Sequence, residues 1–150
     1  MASPIRDRVE ESIRRDDLIA PGGKVTCLVS GGPDSTCLWH VLRELGYRVS
    51  AVHVNHSLRG EESAEDARHC HELMGALVLV PSGSEPQSLT EADLRDARYE
   101  LTAGYGLRAT GHTASDQVET ILYRLVSSGS ARGIKAKRED GVVRPLLDVW

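Results

Sequence analysis

This sequence lacks the features that mark membrane-spanning and secreted proteins. None of its apolar runs approaches the ~18 residues that a transmembrane helix needs, and its first residues contain no apolar core of a secretory signal. The 3 cysteines are odd in number and include no C-x-x-C pair, which favours reduced thiols. We therefore expect a cytoplasmic protein without a membrane partner.

The sequence also lacks the positive charge that is typical of nucleic-acid-binding proteins. Its formal net charge is −4 at pH 7, which argues modestly against RNA as a ligand but leaves room for a local basic patch. Internal repeats and low-complexity tracts are absent. With 150 residues, of which 40% are hydrophobic, the chain is long enough for one globular core.

Short apolar runs alternate with segments of helical periodicity along the whole chain. This order predicts an α/β fold: a five-stranded parallel sheet with helices on both faces, preceded by an N-terminal helix. The predicted strands are 25–29, 49–54, 77–80, 107–110 and 142–143, and the predicted helices are 5–19, 34–45, 61–74, 89–104 and 114–126. Ligands of such sheets bind at the carboxyl ends of the strands.

The loop after the first predicted strand is typical of a phosphate-binding site. It reads Ser30-Gly31-Gly32-Pro33-Asp34-Ser35. Glycines allow the backbone to approach a ligand closely, and a proline fits the first turn of a helix, whose free amides attract anions. The lysine of a Walker loop is absent, because Pro33 follows the last glycine. A turn without any ligand is the alternative.

Asp34 favours a nucleotide over that alternative. A carboxylate beside a phosphate loop repels the phosphates unless a divalent cation lies between them, and Mg²⁺ is usually held by one or two carboxylates together with phosphate oxygens. The loop therefore predicts a site for a magnesium-bound nucleotide.

Two further segments lie at the same predicted edge of the sheet. The loop after the second strand contains His53, Asn55, His56 and Arg59, which could contact a base or ribose, although the residue types alone favour an ordinary polar turn. After the fourth strand comes His112. The helix that follows begins with Asp116 and Glu119, one turn apart.

That helix carries Val118, Ile121, Leu122 and Leu125 at a spacing that predicts a buried stripe. Its two acids lie off the stripe and can face the site. A structural role explains both acids equally well, since Thr113-x-x-Asp116 resembles a capping box and the helix dipole favours acids near the start of a helix. Capping does not explain His112.

Helix 89–104 presents two arginines, Arg95 and Arg98, on one flank. A solvated face with ion pairs is the default interpretation, and a phosphate clamp is the alternative. Ser88-x-x-Glu91 is a plausible capping box at its start, and Leu94, Ala97 and Leu101 are expected to face the core.

Taken together, these motifs resemble a known family. SGGPDS is similar to the S-G-G-x-D-S signature of the N-type ATP pyrophosphatases, or PP-loop enzymes. With the segments HVNHSLRGEESAEDARHC, EADLRDARYEL, ATGHTASDQVETILYRL and RPLLDV in the same order, the chain resembles the catalytic domain of the tRNA(Ile)-lysidine synthetases from about residue 22 onward. Two features depart from that family: the stretch 126–130 lacks its arginine-glycine pair, and the chain stops at Trp150.

The resemblance implies an ATP-dependent ligase that acts on a tRNA(Ile) with a CAU anticodon. ATP adenylates the C2 oxygen of the wobble cytidine and releases pyrophosphate, and free lysine then displaces AMP. Mapped onto this sequence, the family's phosphate loop falls on residues 30–35 and its other functional positions on Arg95, His112, Asp116 and Glu119, with Arg98 beside them. Asp34 and Asp116 would hold Mg²⁺.

Two other functions remain open on the sequence. A tRNA thiolase of the same superfamily would activate a base for sulfur, but such enzymes generally carry paired cysteines. A nucleotide-binding module without catalysis is the second. We expect residues 1–150 to form one domain, with the rest of the family's catalytic domain and its tRNA-binding domains absent, and the sequence gives no oligomeric state.

Overall fold

The computed structural model describes residues 3–56, 61–81 and 90–150. Six helical segments and five strands follow one another along the chain: α1 (Pro4–Arg15), β1 (Lys24–Leu28), α2 (Pro33–Glu44), β2 (Arg48–Val54), α3 (Glu61–Met74), β3 (Leu77–Leu79), α4 (Glu91–Leu101), a 3₁₀ turn (Ala103–Tyr105), β4 (Arg108–Ala109), α5 (Ala114–Ser128) and β5 (Val142–Val143). No helix within these ranges is long and apolar enough to cross a membrane.

The five strands form one parallel sheet in the order β3-β2-β1-β4-β5. This confirms the predicted fold class. The chain runs from β1 outward to β3 and then returns to the other side of β1, so the strand order reverses between β1 and β4. Their carboxyl ends therefore lie next to each other, with a crevice where the connecting loops diverge.

Alternating side chains of β1 pack on opposite faces of the sheet, as the period of two requires. Val25 and Cys27 belong to a large core that includes Val9 of α1 and Leu38 of α2. Leu28 belongs to a smaller cluster on the other face. That cluster contains Val52, Val142 and Tyr99 of α4, so both faces of the sheet are covered, as predicted.

The predicted buried stripe on α5 is wrong. Val118, Leu122 and Leu125 are 40%, 57% and 44% exposed, and Ala114 is the buried residue of this helix. Helical periodicity reports that one face is apolar, but it does not report whether another part of the chain covers that face. On α4 the pattern fails in the same way, because Leu101 is 41% exposed and Tyr99 supplies the buried contact.

Several helix ends also differ from the predictions, since α4 ends at Leu101 and α5 at Ser128, where 104 and 126 were predicted. The first helix ends at Arg15 and not at residue 19, because Asp17 adopts a positive φ of 49° and turns the chain. Helix α4 begins at Glu91 and is capped by Thr90 and Asp93, whereas Ser88 of the predicted capping box lies outside the described residues. The Thr90 hydroxyl accepts from the Asp93 amide at 3.2 Å, and the Asp93 carboxylate accepts from the Thr90 amide at 3.0 Å.

A buried arginine joins β4 to the segments around it. Arg108 is 1% exposed, and its guanidinium donates to the carbonyl oxygens of Tyr99 at 2.7 Å, Gly106 at 3.1 Å and Asp140. These bonds tie the end of α4 and the turn before β5 to the strand that carries the site. A buried guanidinium is tolerated only when its donors are satisfied in this way.

We expect Arg108→Met to lower the free energy of unfolding by about 2–4 kcal/mol, because it leaves buried carbonyl groups without donors. Arg48→Met is the control, since Arg48 is exposed at the start of β2. Urea unfolding followed by circular dichroism measures both. Equal unfolding midpoints for the two variants would show that Arg108 does not hold these segments.

Candidate active site

The loop between β1 and α2 forms a closed network of short hydrogen bonds. The Ser30 amide donates to Ser35 Oγ at 3.0 Å, the two serine hydroxyls lie 3.3 Å apart, and the Thr36 hydroxyl donates to the Gly32 carbonyl at 2.9 Å. Gly31 has a φ of +87°, a backbone conformation that residues other than glycine rarely adopt. The loop is thus held in one conformation around the start of α2.

Helix α2 begins directly after this loop, with Gly32 as its N-cap and Pro33 in its first turn. No side chain caps the helix, so its first amides are available to a ligand, and the positive end of the helix dipole points into the loop. Asp34 is exposed, and its carboxylate has no hydrogen bond or ion pair within the part of the chain that the structure describes.

A cavity of about 210 Å³ opens above this helix end. It lies where the strand order reverses, between the loops that follow β1 and β4. Its lining contains six of the predicted site residues, Ser30, Asp34, Ser35, Arg98, His112 and Asp116, together with Leu28, Thr110 and Gly111. Residues that are far apart in the sequence thus meet at the carboxyl edge of the sheet.

Asp116 has a structural contact as well as a place in the cavity. Its Oδ2 accepts from the Thr113 amide at 2.8 Å and from the Thr113 hydroxyl at 3.3 Å, which confirms the capping box predicted for α5. Capping occupies one carboxylate oxygen, and the residue still lines the cavity. Glu119 is exposed on the next turn of α5 and is not among the lining residues.

His112 is neutral at physiological pH. Its Nδ1 shares a hydrogen bond of 2.7 Å with the Thr110 hydroxyl. Burial, and to a smaller extent the positive charges of Arg144, Arg98 and Arg95, lower the pKa of His112 to about 4, while Asp116 acts in the opposite direction. Three arginines therefore act electrostatically on the imidazole, and one of them, Arg98, lines the cavity together with the two carboxylates Asp34 and Asp116.

The predicted residues of β2 and of the loop after it, as far as the structure describes them, do not line this cavity. His53 is 7% exposed, and its Nδ1 lies 2.8 Å from the Val29 carbonyl, next to the phosphate loop. The Asn55 amide donates to the Leu79 carbonyl. Burial lowers the pKa of His56, and the nearby charge of Arg98 adds to that effect. Arg59 falls outside the described residues. A role for these four in nucleotide binding remains a prediction.

Four residues at the site, Leu28, Thr110, Gly111 and Arg144, were missed on the sequence. Gly111 lies against the first turn of α2 so closely that a Cβ would be 2.9 Å from the Ser35 amide nitrogen and 3.0 Å from Asp34 C. Arg144, which directly follows β5, is 5% exposed and acts electrostatically on His112. Its position after a strand, in the segment RPLLDV, is the signal that could have identified it. Arg95, by contrast, is exposed and does not line the small cavity.

The donor set suits a cation that is shared with phosphate groups. No cluster of three or more His, Cys, Asp or Glu side chains that could bind a metal by itself occurs in residues 3–56, 61–81 and 90–150. Asp34 and Asp116 both line the cavity, and two carboxylates complete a Mg²⁺ shell only when phosphate oxygens and water supply the other ligands. The pair therefore fits Mg²⁺ bound together with a nucleotide.

Residues 2–150 match the PP-loop domain family. The chain belongs to that family. The match includes the predicted PP-loop, residues 30–35, and every residue that lines the small cavity.

Curated relatives carry a more specific name. The chain is 41% identical over 145 residues to a tRNA(Ile)-lysidine synthase of Solibacter usitatus, a match of 88% of this chain and 33% of that protein. It is 34% identical over 169 residues to the enzyme of the same name from Clostridioides difficile, with coverages of 97% and 36%. The chain thus spans about a third of the length of the curated relatives it matches.

Solved structures support the fold. The U34-tRNA thiolase NcsA from Methanococcus maripaludis, solved with its [4Fe-4S] cluster, superposes with a TM-score of 0.67 over 97% of this chain and 59% of its own, at 16% identity. The NH3-dependent NAD synthetase from Campylobacter jejuni gives a TM-score of 0.54 over 97% and 67%, at 18% identity. At such low identities these likenesses establish the architecture alone.

We expect Gly111→Ala to lower the melting temperature and to weaken ATP binding by about tenfold, because the new methyl group would push β4 away from the PP-loop that binds phosphate. Gly104→Ala is the matched control, since nothing lies within 4 Å of its added Cβ. Thermal melting with and without ATP measures both properties. If Gly111→Ala melts and binds ATP as Gly104→Ala does, the close approach has no role in the site.

A second prediction follows from the lowered pKa of His112. The unfolded chain takes up a proton near the ordinary value of 6.5, whereas the folded protein resists protonation until about pH 4. His112 therefore destabilises the fold increasingly as pH falls from 6.5 to 4. The fall in melting temperature from pH 7 to pH 5 should be smaller in His112→Gln than in the unmodified chain.

The exposed His40 provides the control, and His40→Gln should not reduce the acid sensitivity. Titration of the imidazole Cε1 proton by NMR tests the pKa of His112 directly. A midpoint near 6.5 for His112 would contradict the buried, arginine-rich environment.

Proposed function

We propose that this chain provides the nucleotide-activating site of a tRNA(Ile)-lysidine synthase. The single observation that carries the proposal is the cavity in which the PP-loop, Asp34, His112 and Asp116 meet. Relatives of that name at 34–41% identity support the choice of substrate. In this proposal residues 1–150 act as one catalytic domain, and the substrates are ATP, free lysine and a tRNA(Ile) with a CAU anticodon.

The reaction has two steps. The C2 oxygen of the wobble cytidine attacks the α-phosphorus of ATP, and the bond to the β-phosphate breaks to release pyrophosphate. The lysine amine then attacks C2, loses its proton, and the C2–oxygen bond breaks so that AMP leaves with that oxygen. No oxidant or reductant is needed.

The PP-loop suits the first step. The amides at the start of α2, together with the hydroxyls of Ser30 and Ser35, would bind the phosphates, and the helix dipole favours the charge that accumulates on the departing pyrophosphate. Mg²⁺, held by Asp34 and Asp116, would neutralise part of the phosphate charge. Arg98, which lines the same cavity, would add a positive charge on the opposite side.

His112 suits an uncharged role. Its lowered pKa keeps the imidazole neutral at pH 7, so it can hydrogen-bond to the substrate without adding another positive charge beside the arginines. Arg95 and Glu119 stand one turn outside the cavity lining on α4 and α5. We propose that they contact the substrates at the rim.

The thiolase alternative is less well supported. The structural likeness to NcsA concerns the fold alone, and Cys27 and Cys70 are buried within separate elements of the fold, β1 and α3. Burial raises the pKa of the Cys27 thiol to about 12, so that thiol is a poor nucleophile.

The direct test is to incubate the chain with ATP, Mg²⁺, lysine and a tRNA(Ile) transcript. We expect pyrophosphate release that depends on the RNA, and a mass increase of the RNA that depends on lysine. ATP binding without any pyrophosphate release would favour the non-catalytic module. RNA-dependent release without incorporation of lysine would favour activation for another nucleophile, such as sulfur.

Asp116→Asn distinguishes capping from catalysis. Asparagine caps a helix about as well as aspartate, so the melting temperature should change little, whereas loss of the carboxylate should lower pyrophosphate release by about 10²–10³. Asp93→Asn is a matched control, because Asp93 forms the same capping box on α4 and does not line the cavity. A stable Asp116→Asn variant with normal activity would assign Asp116 to capping alone.

The same assay tests Asp34. Asp34→Ala should keep the fold, since its exposed carboxylate has no partner in the described part of the chain, and it should lower pyrophosphate release by about 10²–10³. Adding excess Mg²⁺ should restore little of the activity. A variant that retains activity within a few fold would exclude Asp34 as a ligand of the metal.

A further inference from the structure

A second, larger cavity of about 910 Å³ lies beside the candidate active site. It is bordered by α4, α5 and the segment 132–144. Its lining includes six cationic side chains, Arg95, Arg124, Arg132, Lys135, Arg138 and Arg144, against the two acidic residues Glu139 and Asp140. A chain of net charge −4 thus concentrates positive charge in one place, which is the electrostatic pattern of an anion-binding surface.

The wall of this cavity is fixed by specific contacts. The side-chain amide of Gln117 pairs with the backbone of Ile134, accepting from its amide at 2.5 Å and donating to its carbonyl at 3.1 Å. Arg124 Nη1 donates to the carbonyls of Arg132 and Gly133 at 2.9 and 3.0 Å. The loop that carries the cationic residues is therefore held against α5.

Arg144 is the strongest sign of an anionic ligand. It is 5% exposed, and its Nε has no hydrogen-bond partner. Its other donors reach only neutral acceptors: the Lys135 carbonyl at 2.6 Å and the Tyr99 hydroxyl at 3.4 Å. No carboxylate in the described residues forms an ion pair with it. A buried charge without a counter-ion is costly, and an anion in the cavity would offset that cost.

The two cavities adjoin through the same elements. Helix α4 contributes Arg98 to the small cavity and Arg95, one turn earlier, to the large one. On α5, Asp116 lines the small cavity and the next residue, Gln117, lines the large one. Arg144 lines the large cavity and also lowers the pKa of His112 in the small one. A ligand that extends beyond the active site would therefore enter the basic cavity.

We propose that the basic cavity binds the sugar-phosphate backbone of the RNA whose base enters the active site. The inference rests on the proposed function, because it assigns an RNA substrate to the same site. ATP is a poorer candidate for the whole cavity, since its phosphates have a separate cradle in the PP-loop and the cationic residues spread over α4, α5 and the segment 132–144. A polyanion with regularly spaced phosphates matches that distribution.

The double variant Arg132→Gln/Lys135→Gln tests the proposal. Both residues are exposed, and neither side chain forms a hydrogen bond or ion pair in the part of the chain that the structure describes, so the fold should be preserved. Lys24→Gln/Arg48→Gln is the matched control: it also replaces one lysine and one arginine, both exposed, at the amino edge of the sheet.

Binding of a fluorescein-labelled anticodon stem-loop RNA is measured by anisotropy over a range of salt concentrations, without ATP. We expect the cavity variant to bind about tenfold more weakly at moderate salt, and the slope of log affinity against log salt to fall by about 1.5, as for two lost phosphate contacts. The control should bind RNA as the unmodified chain does. Affinity for ATP, measured separately, should not change in either variant.

The proposal is overturned if the two double variants lose RNA affinity equally, or if the unmodified chain does not bind the RNA at low salt. It is also overturned if the cavity variant loses ATP affinity and keeps RNA affinity, because the cavity would then serve the nucleotide. RNA binding that depends on the cavity, in a chain that releases no pyrophosphate, would support this inference and contradict the proposed function.

Discussion

The candidate site depends on the contact between Gly111 and the first turn of α2. At this point the carboxyl ends of β1 and β4, neighbours at the reversal of strand order, bring the PP-loop and the His112 segment together. There is no room for a Cβ at Gly111, so the two loops share one surface. If they were farther apart, Asp34 and Asp116 would not line the same cavity, and the free amides of α2 would face solvent. The buried hydrogen bonds of Arg108 keep β4 in this position from the other side of the strand.

Acidic and basic side chains lie in different parts of that surface, and each part suits a different kind of ligand. The carboxylates lie in the small cavity, beside the helix amides that attract phosphate, where only a cation can reconcile them with a nucleotide. The guanidinium groups surround the large cavity and influence the small one through Arg98 and Arg144. Net charge does not reveal this arrangement, because the acids elsewhere on the chain outnumber the local excess of arginine and lysine.

The sequence predicted the sheet well because each strand is a short apolar run followed by a turn or a polar loop, and parallel order follows from the intervening helices. It also predicted the PP-loop, since glycine and proline at fixed places leave few other conformations. The prediction of buried apolar faces on α4 and α5 failed, because an apolar pattern does not specify whether another part of the chain covers that face. It missed Gly111 and Arg144 because their importance arises from contacts across the sheet, between residues that are distant in the chain.

His112 is influenced by charged residues of both the small cavity and the basic cavity. Desolvation is the largest cause of its lowered pKa, and the arginines add to the effect, so the imidazole experiences more positive than negative charge. Arg144 cannot relieve that excess by moving to solvent, since it is 5% exposed and held by Lys135 and Tyr99. A neutral imidazole therefore lies within the electrostatic influence of a guanidinium whose Nε has no hydrogen-bond partner. A phosphate group bound at the PP-loop or in the basic cavity would offset the charge of this guanidinium. Once one anionic ligand is bound, the site would attract a second one less strongly, unless Mg²⁺ accompanies the nucleotide.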